Sequence, residues 1–104
     1  MIININDNNY NKFLDKKDDK YYILDFWSSR CEACRFNAAI VDEVSKEYEG
    51  SFIVGKINVD ESPYAVAHFS ISILPCLVIY YKKKILTKFY GDTSKVTIKN
   101  FMNM

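Results

Sequence analysis

Apolar residues along the chain fall into two kinds of run. Tyr21-Tyr22-Ile23-Leu24-Asp25-Phe26-Trp27 and Phe52-Ile53-Val54-Gly55-Lys56-Ile57-Asn58-Val59 are almost continuously apolar, as expected of strands covered on both faces of a parallel or mixed sheet. Phe36, Ile40, Val41, Val44 and Tyr48 instead recur at three- and four-residue intervals. That spacing predicts an amphipathic helix from Cys31 to Tyr48, with Gly50 just past its end. Ile2-Ile3-Asn4-Ile5 reads as a short first strand. Asp7 is placed to cap a helix through about Lys17 that carries Tyr10, Phe13 and Leu14, and Asp15 to Lys20 reads as a charged turn. Asp60-Glu61-Ser62-Pro63 supplies a turn, a capping hydroxyl and a proline suited to the first turn of a short helix ending near Phe69. Cys76 to Tyr81 and Ile85 to Tyr90 flank Lys82-Lys83-Lys84 as an antiparallel hairpin, and Thr93 or Ser94 opens a last helix carrying Val96, Ile98, Phe101 and Met102.

The order βαβαβα followed by ββα predicts an α/β architecture, a central mixed five-stranded sheet flanked by four helices. Length and charge add bounds rather than detail. At 104 residues the chain suits one domain spanning residues 1–104 and acting as a monomer. Fourteen Lys plus Arg against 13 Asp plus Glu leave a net charge of +1, which marks neither a nucleic-acid nor a membrane partner. The Lys82-Lys83-Lys84 run is expected to be a solvated hairpin tip. The N-terminal residues lack a basic segment followed by an apolar one, so a cytoplasmic location is the default expectation. Three cysteines are an odd count, which suits a reactive pair with one spare thiol better than a framework of structural disulfides.

The reactive pair is Cys31-Glu32-Ala33-Cys34. Two cysteines three apart at a helix start share one face, within reach of a disulfide. The unsatisfied N–H groups and positive dipole end of the helix lower a thiol's pKa there, so Cys31, the first and more exposed position, is the expected nucleophile. Cys34, one turn deeper, is then expected to resolve the mixed disulfide. Asp25 is a lone carboxylate inside an apolar strand, where burying its charge is costly. As a group with a raised pKa it would accept the Cys34 proton, through a water; as a strand-end residue it would merely face solvent. Lys56, the only charge in the other apolar strand, either tunes that carboxylate or is a solvated side chain. Zinc also uses Cys-x-x-Cys spacing, but its two further ligands would have to be Cys76 and His68, and no metal site is expected.

The chain resembles the thioredoxin family along nearly its whole length. Leu24-Asp25-Phe26-Trp27 stands before the Cys pair, Lys56-Ile57-Asn58-Val59-Asp60 after it, Leu74-Pro75-Cys76 where the family has Ile-Pro-Thr, and Gly91 near the end of the last strand. The resemblance implies a thioredoxin fold and a dithiol–disulfide oxidoreductase that reduces protein disulfides without a bound cofactor. Its redox group would be the Cys31–Cys34 disulfide, recharged by a thioredoxin reductase-type electron donor and spent on disulfide-containing target proteins. It also implies that Pro75 is cis and lies beside the Cys pair, that the Leu74 backbone pairs with an extended substrate segment, and that Val59, Leu74 and Gly91 form an apolar docking rim near Trp27 and Arg30.

Four positions depart from the family pattern. Glu32-Ala33 replaces Gly-Pro between the cysteines; Glu32 should raise the Cys31 pKa while Arg30 and Arg35 should lower it, with the net sign open. Arg30 replaces a tryptophan, either meeting an acidic partner rim or standing solvated. Ala39 replaces the proline that kinks the family's second helix. Cys76 follows Pro75, expected as a small buried hydrophobe rather than a regulatory thiol. Two alternative functions remain at this level: a thiol oxidase or disulfide isomerase, and a non-catalytic thioredoxin-fold binding module.

Overall fold

The two apolar runs become neighbouring strands near the middle of a sheet. The computed structural model describes residues 1–15 and 19–102. Its order is β1 (Ile2–Ile5), α1 (Tyr10–Leu14), β2 (Tyr21–Trp27), α2 (Glu32–Glu47), β3 (Phe52–Asn58), a 3-10 turn (Val59–Glu61), α3 (Pro63–His68), β4 (Cys76–Tyr81), β5 (Lys84–Tyr90) and α4 (Lys95–Met102). The sheet runs β1-β3-β2-β4-β5. Strand β3 pairs in parallel with β1 and β2, while β4 is antiparallel to both β2 and β5. Among the described residues this is the mixed five-stranded sheet with four α-helices that the sequence predicts.

Alternation along the strands sorts side chains between two cores. Tyr22, Leu24 and Phe26 of β2 join Ile57, Cys76 and Val78, together with Tyr10, Leu14, Ala65 and Phe69 from the region of α1 and α3. Ile23 joins Val54, Leu77 and Ile79, together with Val41 and Val44 of α2 and Ile98 of α4. Helices α1 and α3 therefore cover one face and α2 and α4 the other. Asp25 has the parity of Ile23, and Lys56, its direct partner in the β2–β3 register, has the parity of Val54. Both charges therefore point to the face that α2 covers.

Local chemistry departs from expectation at several ends. Helix α1 starts only at Tyr10, after the Asn6 and Asn9 side chains have closed a turn on each other's backbone N–H groups at 3.1 and 2.8 Å. Asp7 does not cap it. The Asp7 carboxylate instead accepts the Tyr64 and Ala65 N–H groups at 2.9 and 3.1 Å, satisfying orphan donors of the first turn of α3. The Ser62 hydroxyl, expected in that role, is buried and makes no capping bond. Residues 16 and 17 of the expected first helix, and residue 18 of the expected charged turn, lie outside the described residues. Strand β3 stops at Asn58 because the Asn58 side-chain oxygen accepts the Asp60 N–H at 3.0 Å and starts the 3-10 turn.

Helical spacing also overreached at Phe36 and Val96, which are 57% and 65% exposed. At the hairpin tip Lys82 and Lys83 adopt positive φ of 49° and 66°, the backbone that a two-residue turn between right-twisted strands requires. Their ammonium groups pair with Asp19 at 3.3 Å and Asp15 at 2.9 Å rather than standing alone in solvent. Helix α2 runs unbroken through Ala39.

Replacing Asp7 with Ala should lower the unfolding free energy by about 1 kcal/mol, the usual cost of a lost cap, although the substitution lies far in sequence from the helix it caps. Urea denaturation of Asp7→Ala and Asp7→Asn would test this, with the Asn variant retaining most of the stability.

Candidate functional site

Strand β2 ends at Trp27 and α2 begins at Glu32, so three residues turn the chain and deliver Cys31 to the N-cap position. The Cys31 N–H donates to the Ser28 carbonyl at 3.1 Å. The Cys34 N–H points back at Cys31 Sγ at 3.1 Å, with Cys31 extended as an N-cap residue should be. A helix N-terminus therefore aims a donor and its positive end at this sulfur. Cys31 and Cys34 are joined as a disulfide with their Cα atoms 5.3 Å apart. Cys31 is half-buried and Cys34 only 3% exposed. Glu32 and Ala33 between them are exposed.

The pair opens onto a cavity of about 330 Å³ lined by Asp25, Trp27, Ser28, Ser29, Arg35, Ala38 and Lys56 as well as both cysteines. Asp25 is 1% exposed, and neither carboxylate oxygen has a hydrogen-bond partner. Lys56 Nζ lies 3.9 Å from Asp25 Oδ2, but 3.2 Å from Oδ1 of Asp42 on α2. Burial pushes the Asp25 carboxyl up to about 6; the Lys56 ammonium pulls it back, and Asp42 adds to the rise. The expectation of a buried, perturbed carboxyl is met, and the solvent-facing alternative is not. Asp42 was missed, although Cys34, Ala38 and Asp42 recur at four-residue spacing along one helix face, the signal that could have found it.

The rim residues are tied together through the backbone. The Leu74–Pro75 peptide is cis, as the family resemblance implies. The Pro75 carbonyl accepts the Gly91 N–H at 2.8 Å, and Gly91 adopts a φ of +79°, open to glycine without a Cβ penalty. Asn37, fully buried on α2, donates from its amide to the Gly91 carbonyl at 3.3 Å and accepts the Thr93 N–H at 3.2 Å. Sequence reasoning missed Asn37 as well; its place four residues before Val41 and seven before Val44, on the face those residues bury, was its signal. Val59 and Leu74 are half-buried and pack against the core on the α1 and α3 face.

Arg30 is 83% exposed, yet its guanidinium lies 3.0 Å from Asp60 Oδ1. Ser28 donates its hydroxyl to Asp60 Oδ2 at 2.8 Å and accepts the Arg30 N–H at 3.3 Å. The Ser28 hydrogen bond, with Arg30 behind it, holds the Asp60 carboxyl below its ordinary range. Arg30 is thus exposed but paired, rather than a lone solvated cation.

Cys76 lies on the opposite face of the sheet from Asp25, fully buried in the core with Leu24 and Phe26. Burial pushes its thiol up to about 11, which fits a packing role. His68 is exposed and stacks on Tyr64. Among the described residues, no group of three or more His, Cys, Asp or Glu side chains is arranged to hold a metal ion, and no helix is long and apolar enough to cross a membrane.

Comparison with known proteins places these features in a family context. The family model described as Thioredoxin matches residues 1–104. A protein named Thioredoxin from Buchnera aphidicola subsp. Acyrthosiphon pisum (strain APS) is 34% identical over 103 residues, covering 98% of this chain and 94% of its own. A second Thioredoxin, from Buchnera aphidicola subsp. Baizongia pistaciae (strain Bp), is 31% identical over 99% of this chain and 94% of its own. The Thioredoxin of Pyropia yezoensis is 35% identical over 78% of this chain and 76% of its own.

Two stability effects follow from the geometry. Asp25 binds its proton more tightly when folded than when unfolded, so its contribution is fully present below about pH 4 and is lost as the pH rises through about 6. A rise of about two units corresponds to about 3 kcal/mol. Asp25→Asn should therefore be the more stable protein at pH 7 by a few kcal/mol, and denaturation at pH 3.5, about where both states are protonated, should erase the difference. Asn37→Leu leaves the buried Thr93 N–H without its partner and the Gly91 carbonyl with only the Thr93 hydroxyl at 3.4 Å, and should cost about 1–3 kcal/mol. Faster hydrogen exchange at the Thr93 amide would locate that loss.

Proposed function

The chain belongs to the thioredoxin family, and on that premise we propose that Cys31 is the attacking thiol, Cys34 the resolving thiol and Asp25 the acceptor of the Cys34 proton. The protein is a dithiol–disulfide oxidoreductase of the protein-disulfide reductase kind. The observation that carries the division of labour is the Cys34 N–H aimed at Cys31 Sγ from 3.1 Å, with Cys34 itself buried above the Asp25 cavity. A negative sulfur is favoured at the N-cap position and disfavoured one turn deeper, so the two thiols differ in acidity before any substrate arrives.

In the reductive cycle the Cys31 thiolate attacks one sulfur of a target disulfide. A Cys31–target bond forms and the other target sulfur leaves as thiolate. Cys34 then gives its proton to Asp25, through a water, and its sulfur attacks Cys31 Sγ; the Cys31–Cys34 bond forms as the Cys31–target bond breaks. Two electrons pass from the dithiol to the target, which leaves with both sulfurs reduced. No bound cofactor enters, because the redox group is the Cys31–Cys34 disulfide itself.

Substrate docks on the rim made by Trp27, Arg30, Val59, Leu74, Pro75 and Gly91, with the Leu74 backbone pairing to an extended target segment. The rigid tie from Pro75 through Gly91 to Asn37 of α2 supports that role. Glu32, Ala33 and Lys56 tune the pair. A thioredoxin reductase-type donor recharges the disulfide, and the protein works as a single-domain monomer of residues 1–104, carrying electrons to target disulfides in the cytoplasm and contributing to cell redox homeostasis.

Insulin disulfide reduction with a dithiol donor tests the assignment. Cys31→Ser should reduce turnover to the uncatalysed background, and Cys34→Ser should accumulate a mixed disulfide through Cys31 that mass spectrometry detects. Undiminished turnover in Cys31→Ser would remove Cys31 from its role. Redox titration of the pair should give a potential near or below about −270 mV, whereas one near about −120 mV would mark an oxidant instead.

A further inference from the structure

Asp25 and Lys56 face each other directly across β2 and β3, yet they do not form a hydrogen-bonded pair. The ammonium stands 3.9 Å from Asp25 and 3.2 Å from Asp42, and both Asp25 oxygens are left without a partner. The carboxylate that wins the cation is the half-exposed one on α2, eight residues beyond Cys34. Asp42 Oδ1, the oxygen that faces Lys56, is itself buried and makes no hydrogen bond, so the contact is an ion pair reaching inward from a half-exposed side chain. The effect of this pairing falls on the buried acid that loses the contact.

We propose that Asp42 is a positioning residue for the resolving step: by drawing the Lys56 ammonium toward α2, it keeps that cation from closing on Asp25 and so leaves the Asp25 carboxyl free to take the Cys34 proton. The inference rests on the assignment of Asp25 as that acceptor. A cation in full contact would hold Asp25 as a carboxylate and make it a weaker base. With Lys56 held off, Asp25 has access to both protonation states near neutral pH, which is what a group that receives a proton and then releases it requires. Asp42 also acts on Asp25 directly as a like charge, in the same sense. The other groups around Asp25 do not duplicate this action. Cys31 and Cys34 of α2 are the reacting sulfurs, Cys76 of β4 is a neutral thiol on the far face of the sheet, and Arg35 is an exposed residue in the cavity lining.

The step itself is unchanged by Asp42. Cys34 loses a proton to Asp25, the Cys34–Cys31 bond forms, the Cys31–target bond breaks, and the target sulfur departs with the electron pair. Asp42 sets only the pH at which Asp25 is ready to accept.

Two readouts on the full-length reduced protein test this: carbon-13 NMR titration of the Asp25 carboxyl, and the pH profile of insulin disulfide reduction. In Asp42→Asn the Asp25 midpoint should fall by about half a unit or more, and the acidic limb of the rate profile should move with it. Asp42→Ser should do the same, while Asp42→Glu should restore both to wild type. A purely structural defect would lower the rate at every pH without moving the limb. In an Asp25→Asn background, adding Asp42→Asn should leave the profile unchanged. An unmoved Asp25 midpoint, or an equal shift in the Asp25→Asn background, would overturn the role of Asp42. Should Asp25→Asn alone keep the wild-type profile, the acceptor assignment would fall, and the role of Asp42 with it; an altered profile in Asp25→Asn beside an unmoved one in Asp42→Asn would sink only the latter.

Discussion

A carboxylate enclosed by protein and left without a hydrogen bond is the feature around which the rest of this molecule is arranged. Asp25 occupies a β2 position where alternation points a side chain toward α2 near its N-terminal end, between Leu24 and Phe26, which point the other way. Leaving a buried acid unsatisfied costs free energy, and burial lifts its pKa in response. The fold tolerates this because Lys56 lies across the register and Asp42 lies beyond Lys56, so that one ammonium stands between the two carboxyl groups. An apolar residue at position 25 would pack more simply, but the space under Cys34 would then lack a carboxyl group.

That acid is useful only if the cysteines and the rim keep their places relative to it. The tie is made by one side chain. Asn37 sits one turn beyond Cys34 and uses its amide at both ends, donating to Gly91 and accepting from Thr93, while Gly91 in turn holds the Pro75 carbonyl. A hydrogen-bonded path therefore runs from the helix that carries both thiols to the cis-proline segment. Gly91 is suited to its place in that path because its backbone is left-handed and its N–H and carbonyl are both engaged. The same bonds that satisfy buried backbone groups also fasten the cis-proline segment to the helix that carries the redox pair.

Strand and helix assignments were legible because long apolar runs and helical spacing report burial directly, and the sheet with its four helices follows from their order. Asp25 was legible for the opposite reason, as a charge that breaks such a run. Less visible were contacts between residues far apart in sequence. Asp7 has the local form of a cap for the next helix, but the donors it satisfies belong to Tyr64 and Ala65; no window along the chain contains both partners. Asp42 reads as an ordinary polar position on a helix surface until β3 brings Lys56 beneath it. Phe36 and Val96 obey helical periodicity, but the sheet edge and neighbouring elements do not reach them, so their exposure is a property of the packing rather than of the pattern.

The electrostatics at Cys31 show how such long-range pairing changes a local argument. From sequence alone, Glu32 opposes two flanking arginines, and the sign of their sum is open. The structure removes one arginine from that sum, because Asp60 lies 3.0 Å from the Arg30 guanidinium and is itself held by Ser28. Glu32 and Arg35 remain, both exposed to water, where unit charges a few ångströms apart interact by only about 1 kcal/mol. The Cys34 N–H at 3.1 Å differs in kind: it is fixed by the helix, is directed at the sulfur and belongs to a half-buried site. A thiolate at Cys31 would meet this backbone donor directly, whereas the charged side chains between and beside the cysteines reach it through solvent. That geometry exists because the turn at Ser28, anchored to Asp60, places Cys31 at the N-cap and leaves its sulfur facing the Cys34 N–H of α2.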